Sequence, residues 1–101
     1  MQQFVDAARA DLIHRMEQDK ADDLDIKVLQ AERVTWRSSA LGCPLPDRGY
    51  KMVLTPGILI VLRAGGTDYE YHSTLRGPPF LCEPPGRIET PAPRDNALDP
   101  T

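Results

Sequence analysis

The chain has no basic excess: its 12 lysines and arginines stand against 15 aspartates and glutamates, a formal charge of −3 with a pI near 5.2. That balance excludes a general electrostatic footprint for phosphate backbones, and so nucleic acid as a partner, and it argues equally against a general attraction to anionic membrane surfaces. Long hydrophobic runs are missing too. No stretch approaches the roughly 20 apolar residues that span a bilayer, so no membrane insertion is expected. The opening "MQQFVDAARADL" has neither a basic n-region nor a continuous apolar h-region. Read as given, the chain is cytoplasmic, with export as the alternative if a leader has been removed.

Cysteine and histidine are scarce, at two each. Two cysteines, Cys43 and Cys82, are too few for a disulfide framework but compatible with one bridge. No Cys-x-x-Cys or His-x-x-x-His pair pre-organises two ligands on one element, so neither a metal nor a cofactor is expected. The acidic stretch "DKADDLD" lacks the Asp-x-Asp-x-Asp-Gly spacing of a calcium loop and reads as the reversal after a helix.

What the chain does contain is one domain's worth of residues, 101 of them, 41% hydrophobic. Phe4, Val5, Ala8, Leu12, Ile13 and Met16 recur at helical spacing and predict an amphipathic helix over residues 2–19. Ile26, Val28, Val34 and Trp36 alternate with polar residues as a strand does, although Gln30 and Glu32 interrupt the inward face, which predicts either a bulge near Ala31 or a strand that extends beyond the region its partner covers. Residues 37–49 hold Pro44 and Pro46 and read as a loop. Residues 50–54 predict a strand, Thr55-Pro56-Gly57 a turn, residues 58–64 a strand, and residues 67–73 another.

Gly65-Gly66 suits a two-residue hairpin loop with positive φ at both positions. Register then follows by counting: Ala64 faces Thr67, Arg63 faces Asp68 as an outward charge pair, Leu62 faces Tyr69, Ile60 faces Tyr71 and Leu59 faces His72. A slip by one residue would push Asp68, Glu70 and His72 into the core. Phe80-Leu81-Cys82, bracketed by prolines, reads as a brief edge strand. The expected fold is therefore α+β, an N-terminal helix packed on an antiparallel sheet of about four strands, within a single domain over residues 1–83. Residues 84–101, rich in proline, are expected to form a flexible, dispensable tail.

The residues that could carry chemistry or contact are Cys43, Pro44, Pro46, Leu59, Val61, His72 and Cys82. Leu59, Val61 and His72 are placed on the solvent face of the sheet, where two aliphatics beside a histidine could form an interaction patch. Cys43, His72 and Cys82 could alternatively make a thiol or metal site, or a nucleophile with His72 as its base. No orienting third group is evident for the latter. His14 falls on the flank of the helix, and Trp36 reads as core, its indole N–H finding a carbonyl at the rim.

Trp36, "LGCPLP", Tyr50, Pro56-Gly57, "ILIVLRAGG" and "YEYH", closed by Cys82, resemble a pattern in a group of small bacterial proteins of unassigned function. The resemblance covers roughly residues 26–82 and implies no activity. Members carrying the pattern often occur as exported or lipid-anchored proteins. The chain departs from the pattern at Asp47, where a glycine would follow the second proline, and at Ile58, where a tyrosine would follow Pro56-Gly57. From their positions alone, Cys43 and Cys82 are expected to come within bridging distance. The function this sequence supports best is a non-enzymatic binding or inhibitory module acting on a protein partner through the sheet face and the 39–49 loop, because a proline-stiffened loop loses little entropy on docking. A small ligand between helix and sheet stays open.

Overall fold

The computed structural model describes residues 1–18 and 25–93. The reversal expected after the helix therefore lies, except for Asp25, outside the described residues. Helix α1 (Gln2–Gln18) buries the stripe made by Val5, Ala8 and Leu12. Ile13, expected on that stripe, is exposed, because one residue turns the helix by about 100° and carries it off the face that Leu12 occupies. Four strands follow: β1 (Lys27–Trp36), β2 (Thr55–Ala64), β3 (Thr67–Thr74) and β4 (Phe80–Leu81). They form one antiparallel sheet in the order β1-β2-β3-β4, each strand beside its sequence neighbour. The α+β arrangement of one helix on four strands is as the sequence predicts.

Ile58, Ile60 and Leu62 of β2 and Tyr71 of β3 meet the helix stripe and complete the core. The β2–β3 register agrees at every pair with the one counted from the glycines, and Gly65 and Gly66 adopt φ of 59° and 81°. Arg63 and Asp68 form the outward pair at 2.7 Å. Ser73 shares the helix-side face, and its Oγ is buried with no hydrogen-bond partner. Leaving a buried hydroxyl unsatisfied costs about 1–3 kcal/mol, so Ser73→Ala is expected to raise stability by about 1 kcal/mol in urea unfolding. A loss of stability would show that the hydroxyl is satisfied in solution.

β1 holds the bulge, at Leu29 rather than Ala31: Val28 pairs with Leu62 while Gln30 pairs with Val61. One extra residue inverts the face on which each later residue falls. Val28 thus lies on the helix side of the sheet, and Gln30, Glu32, Val34 and Trp36 lie on the opposite side. The polar interruption of the alternation is the signature of that inversion.

Two expected boundaries differ. Thr55-Pro56-Gly57 is the start of β2 and not a turn, and residues 50–54 are not a strand. β1 ends at Trp36 opposite Thr55, so residues 50–54 have no strand beside them. Pro56 is tolerated because the carbonyl of its partner Thr35 points away from β2, to the N–H of Ala92. The missing N–H of Pro56 would therefore face the β3 side, where β3 ends at Thr74 opposite Gly57.

The sheet face opposite α1 is covered, whereas the sequence reading left it to solvent. Leu59 and His72 are buried there and Val61 is partly exposed, while Gln30 on the β1 edge of the same face stays exposed. The cover is made by residues 38–45 and by a strap, residues 84–93. In the strap, the N–H groups of Arg87, Glu89 and Ala92 donate to the carbonyls of Pro44, Gly42 and Thr35 at 3.3, 2.8 and 2.8 Å, and Arg37 Nε donates to Thr90 O at 3.2 Å. These are contacts that a free tail beginning at Pro84 would not make. Each such bond contributes about 1 kcal/mol net, offset by the entropy of ordering the strap. Deleting residues 87–101 is therefore expected to lower unfolding free energy by about 2 kcal/mol. An unchanged midpoint would assign these residues to a dispensable tail.

Candidate functional site

The covered face is organised around Gly57. Its missing side chain leaves the floor on which Trp36 lies, since a Cβ there would overlap Trp36 Nε1 and the carbonyl of Ser73. The indole N–H donates to Ser73 O at 3.0 Å, the rim carbonyl expected of a buried tryptophan. His72 stacks on the indole with ring centroids 4.4 Å apart, and Phe80 meets the imidazole edge-on at 6.2 Å.

Leu41 and Gly42 close this stack from above. Both take left-handed backbone, at φ of 56° and 74°. For Leu41 that conformation costs about 1–2 kcal/mol, and it accompanies a carbonyl aimed at His72 Nδ1, 2.7 Å away. A carbonyl can only accept, so Nδ1–H donates. Nε2 lies 2.8 Å from Glu70 Oε1, so both ring nitrogens are engaged. A Cβ at Gly42 would stand 2.5 Å from the indole, which is why the loop needs glycine where it crosses Trp36.

Cys43 and Cys82 are bonded, with Cα atoms 5.8 Å apart, as their positions suggested. The bridge ties the loop to the end of β4, and the strap crosses it at Gly86, where a Cβ would come within 2.9 Å of Cys43 Sγ. The thiol or metal reading is thereby corrected. Both sulfurs are spent on each other, and His72 is 0% exposed with no nitrogen to offer. Among the described residues no cluster of three or more histidine, cysteine or acidic side chains could hold a metal.

A second polar network joins the layers on the helix side. Tyr71 Oη donates to Asp11 Oδ2 at 2.7 Å, Arg15 Nε donates to the same oxygen at 2.6 Å, and Arg15 also reaches Glu83. Burial alone would raise the Asp11 carboxyl, but the hydrogen bonds from Arg15 and Tyr71 outweigh it and hold that carboxyl below its ordinary value. Burial, then the bond to Asp11, pushes the Tyr71 phenol up. A depressed carboxylate stabilises the fold above its unfolded pKa, and the contribution is lost as pH falls through the lower folded value. Acid unfolding should therefore draw on Asp11 from near pH 3.8 downward. Asp11→Asn is expected to flatten the dependence of melting temperature on pH in that range, and an unchanged profile would remove Asp11 from it.

Of the seven candidate residues, the fold gathers Cys43, Leu59, His72 and Cys82 into this buried layer. Val61 and Pro44 stand at its margins, and Pro46 is exposed. The sequence reading missed residues 52–54. Met52 is 82% exposed, Val53 56% and Leu54 64%, directly after exposed Asp47, Arg48, Gly49 and Lys51. A signal was present: three consecutive large aliphatics break the alternation that a half-buried strand shows. The base of this loop is held firmly. Ser39 N–H donates to Lys51 O, Lys51 N–H to Ser39 Oγ, and Leu45 N–H to Tyr50 Oη, at 2.9, 3.0 and 3.0 Å.

Residues 5–82 match a protein family described as a domain of unknown function (DUF8738). No curated protein and no solved structure matches the chain.

Proposed function

We propose that this chain, which belongs to the DUF8738 family of domains of unknown function, is a non-enzymatic binding module that presents the 46–54 loop to its partner. The carrying observation is the contrast between the two halves of the 39–54 segment. Residues 40–43 are packed against Trp36, bridged through Cys43 and strapped by residues 84–93, whereas residues 46–49 and 51–54 are exposed. A rigid base beneath an exposed apolar tip keeps the ordering cost of docking small. The residues that could have supported chemistry, Cys43, His72 and Cys82, serve that base instead. A buried disulfide also suits work in an oxidising compartment. No helix among the described residues is long and apolar enough to cross a membrane.

The test is site-directed photo-crosslinking in cells that make the chain naturally. A photoreactive amino acid in place of Val53 is expected to give adducts, with lipid or with protein, that the same probe in place of Gln30 does not give. Equal or absent adducts at the two positions would set the reading aside.

A further inference from the structure

We infer that the module docks, without crossing, on an anionic bilayer surface through one end of its sheet; the inference rests on the loop-presentation reading above. In this antiparallel meander the end of β1, the start of β2, the end of β3 and the start of β4 all lie at one end. The exposed large hydrophobics concentrate there: Met52, Val53 and Leu54 ahead of β2, Leu75 after β3 and Phe80 opening β4. Arg37, Arg48, Lys51 and Arg76 project from the same connections and are exposed. Against them stand Asp47 in the loop, Asp6 on the first turns of α1 and Glu89 of the strap, whose N–H meets Gly42 O.

The net charge of −3 conceals this polarity. Of the five cations in residues 33–64, Arg63 is paired with Asp68 at the hairpin end, while Arg33, Arg37, Arg48 and Lys51 lie toward the other end. At the hairpin end Asp25, Asp68 and Glu83 stand with Lys27 and Arg63, the latter already paired with Asp68. A chain that as a whole repels an anionic surface is thus turned so that its cationic end faces one.

Two features favour a bilayer over a protein groove. Met52, Val53 and Leu54 are consecutive in a loop, all apolar and all more than half exposed. A tip exposed at three consecutive apolar residues is covered as a whole by the interfacial zone of a membrane, which surrounds what enters it. The apolar residues are also collared by cations on short connections, which places charge at headgroup level when the tip enters the interface.

The experiment is co-sedimentation of the full oxidised chain with vesicles of phosphatidylcholine alone, and of phosphatidylcholine with about a third phosphatidylglycerol. Wild type is expected to bind the anionic vesicles at least about tenfold more tightly, and raising salt should weaken binding. The triple substitution Met52→Ser, Val53→Ser, Leu54→Ser should abolish binding without moving the unfolding midpoint. Lys51→Glu or Arg48→Glu should weaken it by about fivefold or more, and Leu29→Ser, toward the other end of the sheet, should leave it unchanged. No binding by wild type, equal binding to both vesicles, or binding indifferent to the tip would overturn the inference. So would exclusive crosslinking of position 53 to a soluble protein, an outcome that leaves the loop-presentation reading standing.

Discussion

Gly57→Ala is expected to cost more than about 4 kcal/mol, a large share of the roughly 5–15 kcal/mol by which a domain is stable. The added methyl has no room. It would overlap both Trp36 Nε1 and the main-chain carbonyl of Ser73, the two atoms joined by the indole hydrogen bond. Backbone of β3 cannot move aside without breaking the β2–β3 ladder, so the indole must leave its seat and the stack with His72 goes with it. Trp36→Ala should cost about 3–5 kcal/mol by removing the same buried ring. Trp36→Phe, which keeps a ring but loses the donor, should fall below it. Gly49, whose Cβ would meet nothing within 4 Å and whose φ is not left-handed, is the control: Gly49→Ala should leave stability within about 1 kcal/mol of wild type. Denaturant unfolding followed by far-ultraviolet circular dichroism reads all four, since two of them lack the chain's single tryptophan. A tolerated Gly57→Ala would mean that Trp36 does not lie across β2.

Reducing the Cys43–Cys82 bridge, or replacing both cysteines with serine, is expected to lower unfolding free energy by about 4 kcal/mol. The chain-entropy estimate for closing a loop of this size is of that order, and the separation here is 39 residues. The native state should feel the loss locally as well. The bridge holds the segment from which the Leu41 carbonyl meets His72 and on which Arg87 and Glu89 of the strap are bonded. Amide exchange after reduction should accordingly rise first at Cys43, Arg87 and Glu89, while the β2–β3 hairpin stays protected. Urea unfolding with and without reductant measures the total, and the double serine variant should show no further response to reductant. A change below about 1 kcal/mol would mean that the loop and strap hold without the bridge.

What the sequence determined by itself was everything that rests on local period and on short-range counting. The helical spacing of Val5, Ala8 and Leu12, the two glycines that close the β2–β3 hairpin, and the register that follows from them are properties of neighbours in the chain. A bulge in β1 was legible from the misplaced Gln30 and Glu32, although its position at Leu29 depends on which β2 residue each one meets. The proximity of Cys43 and Cys82 was legible from where the last apolar segment ends.

The tertiary structure decided which surfaces are free. Strand alternation says that Leu59 and His72 face away from the helix, but it carries no information on what covers that face. The cover comes from residues 38–45 and 84–93, irregular segments whose backbone bonds are non-local and have no period to read. Covering it turned His72 from a surface histidine into a buried, doubly bonded ring. Exposure of the tip follows from β1 ending at Trp36, so that residues 50–54 meet no neighbouring strand; β-propensity shapes a backbone but cannot supply its partner.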